Sequence, residues 1–563
     1  MSSCRPRGLA VLLAGLVLTG ALPLAAQAPA QEPPPPSLPQ SLQVILRARI
    51  PTSGKPPELP AAGGSFRAAP DLPCFYDRRQ YAPAWIDDKG LRPDADELIA
   101  ALADAPADGL DPERYRLTDL RQRLAQVKSA PNFSSNGGDF AEIDLRLTDA
   151  FLRFAADLYN GAVNPDLLYS DCRYNLPETD LAAALESAVT GGHVRQALAA
   201  LAPPHAGYKA LKAALAQYRA LAARGGWPEV PQAPSPKSPA LKPGDRNERV
   251  AALRARLEAS GELAPKASPE EDRDLFDAPL QAALVKFQDQ HGLDPDGKLG
   301  KGTLASLNVP AGQRVRQIEI NLDRWRWLPR DLGERYIMVN IAGFHLDVVE
   351  GGKTVLAMKI VAGKPTTKTP MFTGRMIQIV LNPYWNVPPS IARKEVLPKI
   401  AREPGYQASE GFEILHTRSG VEVRQRPGPK NALGKIKFLF PNRFNVYLHD
   451  TPARSLFSRT VRGFSHGCMR IEKPLELAEY LLKDSPAWPP EKITGTIDSG
   501  KETWINIPKP LPVHVVYWTA WVDDAGTLQL RDDLYGRDKP LLQVLGTEEA
   551  AAPANPQATR RPG

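Results

Sequence analysis

The chain has 563 residues, 43% hydrophobic and 24% charged, enough for about three to four globular domains. A formal net charge of +7 is not gathered into the dense basic stripe of a nucleic-acid binder, which argues against that class and suits a weakly attracted anionic polymer. Neither Cys-x-x-Cys nor His-Glu-x-x-His occurs and the eight histidines are scattered, so no metal site and no cofactor are expected.

Arg5 and Arg7 precede an apolar run from Leu9 to Leu24, and small residues follow at Ala25, Ala26, Ala28 and Ala30. This is the pattern of a secretory signal over about 1–28, which predicts export to the periplasm. Gly15, Gly20 and Pro23 break the run, which weighs against a retained anchor, and no later stretch is long enough to span a bilayer. Residues 29–64 read as a Pro-rich tether interrupted by a short helix from Leu38 to Arg49. Residues 65–225 read as all-helical, with apolar residues at helical spacing such as Leu147, Phe151, Phe154 and Leu158. Five prolines between 231 and 243 mark a semi-extended linker over 226–243. Three short helices are then predicted within 244–310, with Val250, Leu253, Leu257, Leu280, Leu284 and Phe287 inward. A connecting helix follows from Gln313 to Trp327.

From Tyr336 the apolar period changes from helical to alternating, and short strands are predicted around 336–340, 344–349, 355–361, 376–381, 438–440 and 445–449. This gives a mainly-β domain over 333–510. Residues 387–441 interrupt its strands as a lid insertion, helical over 391–400 and loop-like over 424–434. A C-terminal extension at 511–549 carries a strand-like run from Val513 to Val522, and the apolar-poor tail at 550–563 is expected to be disordered. The fold class expected is therefore multidomain α+β.

Chemistry concentrates in Phe464-Ser465-His466-Gly467-Cys468-Met469-Arg470, with His449 nineteen residues before Cys468. A free thiol has a pKa of about 8.5, so a neighbouring base or cation is needed to make it a nucleophile at neutral pH. His449 is the preferred base and His466 the alternative. Tyr447 shares a strand face with His449, so its hydroxyl can reach the same pocket. Asp450 is adjacent to His449 but points to the opposite face. Gly467 permits a tight turn, and backbone N–H groups around Gly467 and Cys468 are the expected oxyanion donors, with Ser465 in support. Arg470 is read either as a bidentate partner for a substrate carboxylate or as a loop brace. Trp385 is read either as a substrate wall or as core packing. Cys4 leaves with the signal, and Cys468 must stay free. Cys74 and Cys172, both in the helical domain, are then the natural disulfide pair; the alternative is that each is a small buried hydrophobe.

His449 followed by Ser465-His466-Gly467-Cys468-x-Arg470 resembles the signature of the L,D-transpeptidase (YkuD-type) catalytic domain. The Tyr81-x-Pro83-x-Trp85 and Asp108-Gly109-Leu110-Asp111-Pro112 pieces resemble the scaffold domain of the large, scaffold-containing murein L,D-transpeptidases. Phe287-Gln288, His291-Gly292-Leu293 and Asp296-Gly297 resemble a peptidoglycan-binding domain. The resemblance implies a cysteine acyltransferase that joins diamino acid residues of peptidoglycan stem peptides through a thioester, releases D-alanine and is inhibited by carbapenems. It also implies that a backbone carbonyl, rather than the Asp450 carboxylate, orients His449. Stem peptides are the expected partners, with wall-synthesis proteins left open. Two other readings stand beside it: a wall hydrolase or protein–peptidoglycan ligating enzyme of the same fold, and a non-catalytic wall-binding protein, which the intact Cys468/His449 pair opposes.

Overall fold

The computed structural model describes residues 37–50, 58–61, 64–129, 137–174, 176, 178–235, 237–265, 272–418 and 420–546. The expected leader, much of the expected tether and the tail at 550–563 lie outside them. Among the described residues no helix is long and apolar enough to cross a membrane. The chain divides into two compact units: one takes residues up to 106, 110–159 and 177–202, and the other takes 107–109, 160–176 and everything from 203 onward.

The first unit is helical, built on the long helix Gly137–Asn160, which buries Leu147, Phe151, Phe154 and Leu158 as their spacing predicts. The Tyr-Ala-Pro-Ala-Trp segment has a clear physical role in it. The Asp144 carboxylate, fully buried, accepts from the Ala84 N–H at 3.0 Å, the Trp85 N–H at 2.9 Å and the Tyr76 hydroxyl at 2.5 Å. The Trp85 indole donates to Thr148 at 2.9 Å. A buried carboxylate is tolerable only with such a full set of donors. Two strands, β1 (Glu58–Ala61) and β2 (Gly64–Arg67), form a hairpin, and β3 (Ile86–Asp87) with β4 (Gly90–Leu91) a second. The tether expected to reach residue 64 is corrected here. The helix Leu38–Arg49 buries Leu42 and Leu46 completely, and the first hairpin follows it.

The second unit contains a strand that the helical reading of 65–225 missed. β5 (Cys172–Arg173) adds to the edge of the catalytic sheet, with Cys172 opposite Met371. This overturns the expected Cys74–Cys172 disulfide, because Cys172 is a free thiol, 1% exposed. The segment that carries it leaves the helical unit to join the sheet, whereas Cys74 stays in the helix Leu72–Arg78 of the first unit. Burial pushes the Cys172 thiol far up, and the nearby Asp166 carboxylate pushes the same way.

Helices Glu248–Ser260, Ala278–Gln290 and Lys301–Leu307 form the small three-helix unit around Val250, Leu253, Leu257, Leu284 and Phe287. Gln288, fully buried, holds its last turn together: its amide donates to Asp296 and the Lys298 carbonyl, and its oxygen accepts from the Gly297 N–H.

The catalytic sheet takes β6 (Arg335–Asn340), β7 (His345–Glu350), β8 (Lys353–Gly363), β9 (Met371–Leu381), β13 (Ile436–Leu439), β14 (Leu448–His449), β16 (Met469–Ile471) and β17 (Thr503–Val516). The order is β13-β14-β16-β8-β7-β6-β17-β9, and β9 pairs again with β13, so the ring closes and leaves few free edges. β15 (Gly463–Ser465) runs alongside β8. β17 corrects the boundary drawn at 510. It pairs with β9 over 503–506 and, after a register shift, over 511–515, and with β6 over 513–516, so Val513 and Val515 are sheet core rather than extension. β18 (Ala520–Val522) and β19 (Leu528–Leu530) form the last hairpin.

The insertion connects the adjacent antiparallel strands β9 and β13. Its neck is closed by the Asn382 N–H on the Lys435 carbonyl at 2.8 Å, so it spans 383–434 rather than 387–441. Residues 436–439 return to the sheet because Ile436 and Phe438 are buried in the barrel core. The insertion folds as a small subdomain with β10 (Trp385–Asn386), β11 (Phe412–Thr417) and β12 (Gly420–Gln425) in the order β10-β12-β11. Short helical turns pack on that sheet around Val387, Ala392, Val396, Phe412 and Val423.

Candidate active site

β14 and β16 are parallel neighbours, with Leu448 opposite Met469 and His449 opposite Arg470. Leu448 and Met469 are fully buried in the barrel, so by strand alternation Tyr447, His449 and Arg470 lie on the other face. The register continues that row across the sheet: Arg470, His449, Lys437, Val380 and Trp504. Cys468 stands at the start of β16 beside this row.

The turn before the cysteine is held from several sides. Gly467 has φ +121°, a conformation that L side chains rarely adopt. Its N–H donates to Ser465 Oγ at 3.0 Å, and Ser465 Oγ donates to the Cys468 carbonyl at 2.5 Å. Thr369 Oγ1 donates to the Gly467 carbonyl at 2.8 Å, and Thr367 Oγ1 to the Ser465 carbonyl at 2.9 Å. Ser465 is thus a brace of the turn. The Gly467 N–H, expected as an oxyanion donor, is engaged by that brace, whereas the Cys468 N–H has no acceptor among the described residues.

Burial raises the Cys468 thiol, while hydrogen bonds from the Tyr447 backbone and hydroxyl and the charges of Lys437 and Arg470 pull the other way. Tyr447 stays protonated, since burial and the neighbouring sulfur push its pKa far up. The Tyr447 and His449 rings meet edge to face, 5.7 Å between centroids. His449 Nδ1 lies 2.5 Å from the Asp450 carbonyl oxygen, so Nδ1 carries the hydrogen and Nε2 keeps its lone pair. Burial first, then the charges of Arg470 and Lys437, push His449 down to about 3, against the hydrogen bonds to the Asp450 and Leu433 carbonyls. At neutral pH the imidazole is therefore a neutral base. Burial thus favours the uncharged form of both groups, thiol at Cys468 and imidazole at His449.

The Asp450 carboxylate serves the insertion neck. It accepts from the Lys435 N–H at 2.8 Å, meets Arg454 at 3.2 Å and fills the space beside Gly434, where a Cβ would come within 2.3 Å of its oxygen. His466 Nε2 lies 2.8 Å from Glu395 Oε1, a contact that joins the Cys468 turn to the insertion. Trp385 packs against the insertion's own core, its ring 6.4 Å from Phe412. Arg470 forms no ion pair among the described residues, and its Nε is buried without a hydrogen-bond partner.

Lys437 is the residue that sequence reasoning missed. It faces His449 across the β13–β14 register, and its ammonium sits 4.1 Å from the Tyr447 ring centroid. Burial lowers its pKa, opposed by the Cys468 sulfur and Glu502. A single polar residue between Ile436 and Phe438 marks it as outward-facing in an otherwise apolar strand, which was the available signal. Among the described residues no group of three or more His, Cys, Asp and Glu side chains is placed to hold a metal ion.

Residues 334–497 match the L,D-transpeptidase catalytic domain (YkuD), 70–215 the scaffold domain, and 246–307 the "Putative peptidoglycan binding domain". A "Putative L,D-transpeptidase" of Haemophilus influenzae is 32% identical over 244 residues, covering 40% of this chain and 49% of the relative. The chain thus spans about half the length of the curated relative it matches. Among solved structures, an L,D-transpeptidase (residues 123–326) from Xylanimonas cellulosilytica is 17% identical and covers 50% of this chain and 100% of its own, with a TM-score of 0.17. An L,D-transpeptidase from Mycobacterium smegmatis is 16% identical and covers 32% and 58%, also with a TM-score of 0.17. Scores this low carry no weight for fold or function, which rest on the domain matches and on the architecture itself. Three domain matches thus lie in order along the chain: a scaffold domain, a peptidoglycan-binding domain and an L,D-transpeptidase catalytic domain (YkuD).

Proposed function

We propose that the protein is an exported L,D-transpeptidase that acts in the periplasm and links two peptidoglycan stem peptides through their diamino acid residues. The observation that carries this reading is the presence, on one sheet face, of a part-exposed thiol, a tyrosine hydroxyl on its sulfur, and a buried imidazole whose Nδ1 is held by the Asp450 carbonyl. His449 takes the Cys468 proton as the sulfur attacks the carbonyl of the third stem residue. The oxyanion develops toward the Cys468 N–H. Collapse returns the proton from His449 to the leaving amine, D-alanine departs, and a thioester remains. The side-chain amine of a second stem then attacks the thioester, His449 takes its proton, and the thiol is restored. The acyl energy is kept in the thioester, so the cycle needs no cofactor.

The test is incubation of the full chain with purified tetrapeptide-containing muropeptides and mass analysis of the products. A dimer lighter than two monomers by one D-alanine is expected. Tripeptide alone, with no dimer, would make water the acceptor and the protein a hydrolase.

The insertion is proposed to act as a lid. It is rooted at the Asn382–Lys435 neck, and Glu395 of its helical segment reaches His466 beside the nucleophile. Both side chains of that pair are substantially exposed, so the contact contributes about 0.2–1 kcal/mol. Glu395→Gln should therefore raise the KM for muropeptide by about 1.4- to fivefold and leave acylation by a small carbapenem at the parent rate. Replacing 383–434 by a two-residue turn, which suits adjacent antiparallel strands, should cost far more turnover of muropeptide than of the small probe. Equal losses with both would make the insertion part of the fold core.

A further inference from the structure

The charges of Lys437 and Arg470 both act on the Cys468 sulfur, and neither side chain forms an ion pair among the described residues. Lys437 forms no ion pair among the described residues; its neighbours are the Tyr447 ring, Cys468 and the more remote Glu502, whose carboxylate accepts the Tyr384 N–H at 2.8 Å. Arg470 likewise has no carboxylate, and its buried Nε has no acceptor. A half-buried ammonium and guanidinium without counter-ions are costly to hold in a folded protein, and the cost falls when an anion arrives. Both flank His449 in one sheet row, so the anion they fit must lie within about one residue of the carbonyl under attack.

We propose that Lys437, together with Arg470, binds the free α-carboxylate of the D-amino acid that leaves, and so selects donors that end one residue beyond the scissile carbonyl. This rests on the transpeptidase reading above and deepens it. In a donor ending in D-alanine, that carboxylate is one residue from the attacked carbon. Arg470 on β16 offers a planar fork and Lys437 on β13 a point charge, with His449 of β14 between them, so the carboxylate is gripped from two sides. An extra residue, or an amide at the terminus, would leave both cations uncompensated in the closed site, which gives rejection as well as attraction.

The experiment uses one tetrapeptide donor as its C-terminal acid and as its C-terminal amide, with parent protein, Lys437→Met and Lys437→Arg. Turnover is measured on each, and binding of both peptides is measured on the Cys468→Ala background. The parent is expected to favour the acid by about 10- to 100-fold in kcat/KM, the size of a charge-assisted contact. Lys437→Met should collapse the acid-to-amide ratio toward one in both turnover and binding, and Lys437→Arg should restore part of it. Acid and amide falling together in Lys437→Met, with the ratio preserved, would show that Lys437 acts on the sulfur or the fold, and would overturn the proposal. A parent that binds the acid preferentially through Lys437 yet turns over neither peptide would uphold the carboxylate site and overturn the transpeptidase reading. A parent with no acid preference in either measurement would overturn the carboxylate site alone.

Discussion

Cys468→Ala should lower cross-linking by at least about four orders of magnitude and abolish covalent labelling by a carbapenem, because removal of a nucleophile leaves only binding and electrostatic effects. The other described free thiol, Cys172, is no substitute: it is 1% exposed, and burial drives its pKa far up. Alkylation of native protein with iodoacetamide should therefore modify Cys468 and spare Cys172, while alkylation after unfolding should modify both. Carbapenem labelling that survives in Cys468→Ala would move the reactive centre elsewhere. Gly467→Ala would test the turn separately, since a methyl group at φ +121° strains the backbone that presents the sulfur.

The second large effect is expected at His449. His449→Ala removes the neutral imidazole that shares the sheet face with Tyr447 and Arg470 and should slow acylation by about two to four orders of magnitude. His466→Ala should lose much less, since its ring faces Glu395. The pH dependence carries the sign of the argument. A base works only while unprotonated, and His449 is held neutral down to about 3 by burial and by the charges of Arg470 and Lys437. The acylation rate should therefore not fall as pH drops through 6.5, the ordinary imidazole range, and activity should persist at about pH 5. A tenfold loss per pH unit below 6.5 in the parent, absent in a variant lacking the imidazole, would mean that His449 titrates normally. Parent-rate acylation in His449→Ala would remove it as the base.

Much of this was legible in the sequence, for physical reasons that differ by element. The change of apolar period near Tyr336 gave the helical and β-rich halves, since burial on one face imposes 3.6-residue or two-residue repeats whatever the final packing. The match to the L,D-transpeptidase catalytic domain was legible because the residues around Cys468 lie close together in the chain. What the sequence hid depends on register and on which segments meet. Lys437 joins the site only because β13 pairs with β14. Cys172 escaped because two residues of strand carry no period of their own, and their place is set by the open stretch of β9. The alternation in Phe412–Thr417 and Gly420–Gln425 was present but was passed over inside a segment treated as lid. The 510 boundary cut β17 because its middle holds Pro508, Pro510 and a register shift, which look like a strand end. Asp450 likewise has its role from the returning insertion neck, which a local reading of β14 does not contain.

The central claim is that acyl transfer passes through a thioester on Cys468. It is tested most directly by mixing the full chain with a tetrapeptide stem donor and no acceptor, quenching in acid, and measuring intact mass followed by peptide mapping. The account predicts a gain equal to the donor minus D-alanine, located on Cys468, that disappears when a diamino acceptor stem is added and a dimer forms. Dimer formation without any adduct on Cys468, or an adduct on another residue, would contradict it.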